Sequence, residues 1–169
     1  MLFRSGLMGE IIEEHHGCVI EFVGDGMFCV FGAPNVLQNH AELAVRCALA
    51  MQAKLASAHA QWEHVEPKLW YGQGSARLRM RVGIHSGVVI AGNVDTASRT
   101  KYSIIGDAVN LAARVEQLNK ELDTETLITE ETLFRLPDAQ RRIAMARGEH
   151  KVKGRDRAVV VYSLDPAPG

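Results

Sequence analysis

Hydrophobic positions along the chain switch between helical and strand spacing, and the switches mark the elements. Residues 7–16 put Leu7, Met8, Ile11 and Ile12 at helical intervals and stop at Gly17, a natural C-terminal cap. Residues 18–23 (Cys-Val-Ile-Glu-Phe-Val) are β-branched and aromatic, and 27–31 (Met-Phe-Cys-Val-Phe) repeat that character beyond Gly24-Asp25-Gly26. Two such runs around a tight-turn tripeptide predict a hairpin. Gly32-Ala33-Pro34-Asn35 breaks the chain. An Ala/Leu-rich helix follows from His40 to Trp62, with Leu43, Cys47, Ala50, Met51 and Leu55 on one face. Residues 64–77 carry Pro67, Gly72 and Gly74 and predict a loop.

The second half continues the mixture. Residues 78–84 alternate as a strand, Ser86-Gly87 turns the chain, and 88–91 form another strand. Residues 93–101 read as a polar arm and 102–105 as a short strand. Asp107 is placed to N-cap a helix over 108–121. On that helix Leu111, Val115, Leu118 and Leu122 form a stripe, with Asn110 and Arg114 as a polar pair beside it. A strand over 126–129, a short helix over 130–135 and a last strand over 158–163 complete the pattern. Strands interleaved with helices, a hairpin among them, predict an α+β fold with a mostly antiparallel sheet flanked by helices.

Length and charge narrow the function classes. A chain of 169 residues is one domain with room for a real core. A net charge of −1 excludes the broad positive field that non-specific nucleic-acid binding needs, so nucleic acid is not an expected partner. No apolar run approaches the length of a membrane span, and residues 1–6 lack a signal-peptide core. Cys18, Cys29 and Cys47 are odd in number and form no Cys-x-x-Cys pair. They read as reduced small hydrophobes of a cytoplasmic protein, and none has a neighbour that would make it a reactive thiol.

Each polar motif, alone, has an ordinary reading. Gly24-Asp25-Gly26 is a hairpin turn, Asn110 and Arg114 are a solvated helix face, and Lys151, Lys153 and Arg155 are a basic surface run. In order they form a set. Glu-Phe-Val-Gly-Asp-Gly (21–26) leads to Phe-Gly-Ala-Pro (31–34), then Arg-Val-Gly-Ile-His-Ser-Gly (81–87) and Ala-Gly-Asn (91–93). Tyr-Ser-Ile-Ile-Gly-Asp-Ala-Val-Asn-Leu-Ala-Ala-Arg (102–114) and Val-Lys-Gly-Arg (152–155) follow. This set resembles the catalytic domain of the class III adenylyl and guanylyl cyclases, a cyclase-homology domain with a ferredoxin-like core. The likeness runs over 7–164, with 1–6 outside it and 165–169 as a tail.

The resemblance implies a reaction and its parts. A ribose 3′-hydroxyl attacks its own α-phosphate, pyrophosphate leaves, and a 3′,5′-cyclic nucleotide forms, with two Mg²⁺ or Mn²⁺ ions flanking the reacting oxygens. It also implies a head-to-tail homodimer with sites between subunits, and ATP or GTP as substrate. By resemblance, Asp25 is a metal-binding aspartate, Arg81 and Lys153 contact the terminal phosphates, Asn110 orients the ribose, and Arg114 stabilises charge on the α-phosphate. The i, i+4 spacing of Asn110 and Arg114 places both over one ligand, and a guanidinium fork suits phosphate oxygens. Asp107 is left as a cap and His85 as a structural hydrogen bonder near the dimer interface. His15 and His16, being adjacent, diverge on a helix.

The family's base-reading positions fall on Glu21 and Ser103. Guanine presents N1–H and N2–H₂ donors side by side, and one carboxylate accepts both, whereas adenine N1 is a lone pair that a carboxylate repels. Glu21 therefore leans to GTP, while the Ser103 hydroxyl serves either purine. Many cyclases of bacterial type carry non-standard residues at these positions, and Glu21 as a strand residue paired with a surface cation is the competing reading.

One departure from the family is large. Its first metal aspartate lies in a Phe-x-Asp-x-x-Gly-Phe-Thr motif ahead of the hairpin, and this chain has no Asp before Asp25. The expectation is a chain that starts inside the domain, lacks the first strand, and has little or no activity alone. The alternative function is a degenerate cyclase-like domain that regulates or binds a partner. Retention of Asp25, Arg81, Asn110, Arg114 and Lys153 favours the enzyme, since a binding relic need not keep all five. A diguanylate cyclase would need a Gly-Gly-Asp/Glu-Glu-Phe turn, and Val23-Gly24-Asp25-Gly26-Met27 does not supply it.

Overall fold

The fold is taken from a computed structural model that describes residues 2–65, 79–95, 100–152 and 157–164. Helix α1 (Leu2–Glu14) leads into the hairpin of β1 (Gly17–Val23) and β2 (Gly26–Phe31), and the long helix α2 (His40–Val65) follows. Next come β3 (Val82–Ile84), β4 (Ile90–Asp95), β5 (Thr100–Ile105) and helix α3 (Asp107–Leu122). Strand β6 (Thr126–Thr129), the short helices α4 (Glu130–Leu133) and α5 (Asp138–Arg141), and strands β7 (Met145–His150) and β8 (Val159–Ser163) complete the chain.

The described strands form a four-stranded sheet in the order β3-β6-β8-β7 and two hairpins, β1-β2 and β4-β5. The β3–β6 pair is parallel and the other pairings are antiparallel, as the α+β expectation requires. Strand β6 is buried on both faces because helices cover both. Leu127 packs with Val159, Val161 and the α3 stripe of Leu111, Val115 and Leu118. Its neighbour Ile128 points the other way, to Ala41 and Val45 of α2 and to Leu136 and Leu164. A third cluster joins α1 to α2 and the first hairpin through Met8, Ile12, Cys47, Met51 and Leu55.

Several local expectations change. The left-handed residue that ends α1 is His16, with φ 60°, not Gly17. Gly17 is required for another reason: a methyl group there would sit 2.7 Å from both Ile12 and Phe31 side-chain atoms. The N-cap of α3 is Gly106, and Asp107 is the first helical residue, where its charge still complements the helix N-terminus. The described parts of the expected arm at 93–101 are strand, since β4 runs to Asp95 and β5 starts at Thr100. The three thiols are free, with Cys47 buried and the other two half-buried. Burial pushes the Cys29 thiol up to about 12 and Cys47 up to about 11, so neither is a nucleophile at neutral pH.

Candidate active site

The chemistry-bearing residues gather at two places. The first is the tip of the β1–β2 hairpin. Val23 pairs with Gly26, so Gly24-Asp25 is a two-residue loop. Gly24 takes φ +61° at the first central position, which L side chains rarely adopt. Asp25 occupies the second and is exposed. Arg81, exposed just before β3, and Glu116, half-buried on α3, complete this cluster. Burial pushes the Glu116 carboxyl above its ordinary value, the Arg81 guanidinium opposes the shift, and the Asp25 carboxylate adds to it. Asp25 and Arg81 thus both act on one carboxyl group.

Gly83 explains why α3 reaches that position. A Cβ on Gly83 would lie 2.2 Å from the backbone nitrogen of Glu116 and 2.7 Å from the carbonyl oxygen of Ala112. The helix therefore rests directly on the strand backbone. The Asn119 side chain, 1% exposed, fixes the contact by donating to the carbonyl of Val82 at 3.0 Å. Glu116 went unnoticed in the sequence because a polar residue beside an apolar helical stripe reads as a solvated face.

The second gathering joins β1, β5 and the start of α3. A bulge between Val19 and Glu21 interrupts the β1–β2 register just where the Glu21 side chain leaves the strand. The Glu21 carboxylate accepts from the Lys101 ammonium at 2.6 Å. Lys101 lies two residues before Ser103 on β5, so both side chains are on one face of that strand. Lys101 thus ties Glu21 to the strand that carries Ser103. Lys101 was missed in the sequence, where it sat inside the expected polar arm.

One residue after Ile105, the chain enters α3. Asn110 is exposed and Arg114 half-buried on its first turns. Neither makes a side-chain hydrogen bond or ion pair to another described residue. They are an amide and a guanidinium with their donors free, at the spacing that puts both on one side of the helix. Lys153 lies outside the described residues.

The donor set at the hairpin tip is all oxygen, which suits hard cations such as Mg²⁺ or Mn²⁺. Among the described residues no group of three or more His, Cys, Asp or Glu is assembled to hold an ion. Of the two carboxylates at the tip, Asp25 is exposed and Glu116 is half-buried. Among the described residues no helix is long and apolar enough to cross a membrane.

The family profile described as the adenylate and guanylate cyclase catalytic domain matches residues 5–165. Adenylate cyclase 1 of Rhizobium meliloti (strain 1021) is 32% identical over 158 residues, covering 94% of this chain and 22% of that protein. The chain therefore spans about a fifth of that relative, and 30% of a second one, the adenylate cyclase of Anabaena cylindrica. The guanylyl cyclase Cya2 superimposes with a TM-score of 0.76 at 32% identity, over 95% of this chain and 75% of that one. The adenylyl cyclase CyaB from P. aeruginosa superimposes with a TM-score of 0.80 at 29% identity, over 98% and 80%. Family profile, relatives and fold agree: the chain belongs to the adenylate and guanylate cyclase catalytic domain family.

Proposed function

We propose that this chain is the catalytic domain of a cytoplasmic nucleotidyl cyclase that serves intracellular signalling and works as a head-to-tail homodimer on a purine nucleoside triphosphate, with a lean to GTP. The ribose 3′-oxygen forms a bond to the α-phosphorus and gives its proton to solvent. The bond from the α-phosphorus to the α,β-bridging oxygen breaks, and pyrophosphate leaves. Asn110 holds the ribose, and Arg114 donates to the α-phosphate oxygens as charge gathers on them. Arg81 and Lys153 hold the terminal phosphates. Asp25 would hold a divalent cation, which would supply positive charge to polarise the α-phosphate.

The observation that carries the reading is α3, which presents Asn110 and Arg114 with their donors free directly after the strand that bears Ser103 and Lys101. The lean to GTP rests on Glu21. Its carboxylate is paired with the exposed Lys101 ammonium, which favours the competing reading of Glu21 as a strand residue held by a surface cation, so the lean to GTP is slight. One carboxylate is few for a two-ion reaction, so we expect little or no turnover from the 169-residue chain itself.

The test is incubation of the chain with Mn²⁺ and equimolar ATP and GTP, followed by chromatographic product analysis. Cyclic GMP in excess supports the reading, and cyclic AMP as sole product removes the lean. An N-terminal segment carrying the family's Phe-x-Asp motif should raise turnover, metal affinity and melting temperature together. Metal-dependent nucleotide binding without turnover in that extended chain would favour a regulatory module instead.

A further inference from the structure

The loop between β3 and β4 contains a buried polar corner that the reaction does not use. The His85 side chain is 6% exposed. Its Nδ1 lies 2.9 Å from the Thr129 hydroxyl and 3.7 Å from Oε2 of Glu131. The adjacent Ser86 hydroxyl is 3.1 Å from that of Thr132, and Thr129 and Thr132 are fully buried. The loop is thus tied through two side chains to the junction of β6 and α4.

Its opposite side meets the catalytic helix. A methyl group on Gly87 would lie 2.8 Å from the Ala108 Cβ and 2.9 Å from His85 Nε2. Gly87 is therefore sandwiched between the imidazole and the first turn of α3. One step further along, a methyl on Gly106 would meet the Val88 carbonyl oxygen at 3.2 Å and Val89 Cα at 3.4 Å. Loop and helix start are in contact at two points, 87 against 108 and 88–89 against 106. Asn110 and Arg114 follow within two turns of that seat.

We propose that His85 is a positioning residue: its ring, held by Thr129, backs Gly87 and thereby fixes where the N-terminal turns of α3 carry Asn110 and Arg114. The proposal rests on the cyclase reading for its kinetic consequence, though not for its structural one. Small displacements of a group that acts on the reacting centre reduce rate steeply, while groups that hold the phosphates from other elements keep affinity.

The test compares the parent chain with His85→Ala, His85→Asn and Gly87→Ala, the Asn amide being able to reach Thr129 as Nδ1 does. Hydrogen exchange of the backbone amides at 107–114 is the first readout, with those of α2 as control. In His85→Ala the α3 amides should exchange about tenfold faster while α2 is unchanged, and His85→Asn should restore most of the protection. Gly87→Ala should reproduce the change with the ring in place. In the Mn²⁺ assay of the chain extended by the Phe-x-Asp segment, the same variants should lose about tenfold in kcat with KM within about twofold. Unchanged α3 exchange in His85→Ala, or equal loss of protection in α2 and α3, overturns the proposal. Absence of cyclic nucleotide from the chain extended by the Phe-x-Asp segment would count against the cyclase reading alone, since the exchange comparison is still decisive.

Discussion

The Glu21 carboxylate and the Lys101 ammonium meet at 2.6 Å across the junction of β1 and β5. Both side chains are about half exposed, at 51% and 55%, so the pair adds less than about 1 kcal/mol to folding. If Glu21 reads the base as proposed, the effect of the pair falls on base choice, because the contact fixes the direction of the carboxylate. Lys101→Met should leave the melting temperature nearly unchanged and lower the GTP-to-ATP ratio of kcat/KM by about tenfold, the worth of one charge-assisted hydrogen bond. Glu21→Lys should go further and reverse the preference. Both are read from product ratios with equimolar triphosphates.

In the proposed reaction Asn110 and Arg114 differ from that pair in acting on the reacting centre. Asn110→Ala and Arg114→Lys should each lower kcat by about 10²-fold, the scale of losing one preorganised donor to a developing charge. Lysine keeps the charge of Arg114 and loses the fork, so the conservative change is not conservative here. Both side chains lack partners among the described residues, so the melting temperature should stay near the parent's. Parallel kinetic and thermal measurements check the separation.

Gly83 makes the opposite claim, since its role is packing. Alanine there would drive a methyl group to 2.2 Å from the Glu116 backbone nitrogen and force α3 off the sheet. Gly83→Ala should cost about 3 kcal/mol in urea unfolding. It should also weaken activity, because the same helix carries Asn110 and Arg114.

Glu116 gives a dependence on pH. Its folded-state value is raised, first by burial and further by Asp25 against the opposing pull of Arg81. A raised carboxyl means that the folded chain binds its proton more tightly than the unfolded chain does. The stability it contributes is complete below the unfolded value of 4.5 and is lost as pH rises through the folded value. Glu116→Gln should therefore be more stable than the parent at neutral pH, with the difference shrinking towards pH 4 in a denaturation series. Convergence of the two curves at neutral pH rather than at acid pH would refute the sign.

What the sequence disclosed tracks how strongly each residue's neighbours are local. The hairpin at Gly24-Asp25 and the α3 stripe of Leu111, Val115 and Leu118 rest on alternation and helical spacing, and both are present. Strand β7 (Met-Ala-Arg-Gly-Glu-His) escaped notice because it is an exposed edge with no apolar alternation, defined by its pairing to β8. Helix α5 is four residues long and carries no stripe. At the site, Asp25, Arg81, Asn110 and Arg114 were legible as motif residues. Lys101 and Glu116 were not, since each interacts with residues distant in sequence, Glu21 for one and Asp25 and Arg81 for the other.

The end of α1 shows the same limit at one residue's distance and gives the last expectation. Gly17 had the composition of a helix cap, yet the left-handed conformation falls on His16, at φ 60°. An L side chain there is strained, and His16 is exposed, so its ring has little packing to lose. His16→Gly should raise stability by about 0.5–1 kcal/mol. Gly17→Ala should lower it, because the new methyl would meet Ile12 and Phe31 at 2.7 Å. Thermal melts of the two variants check both signs at once, and stabilisation by Gly17→Ala would place the constraint on the wrong residue.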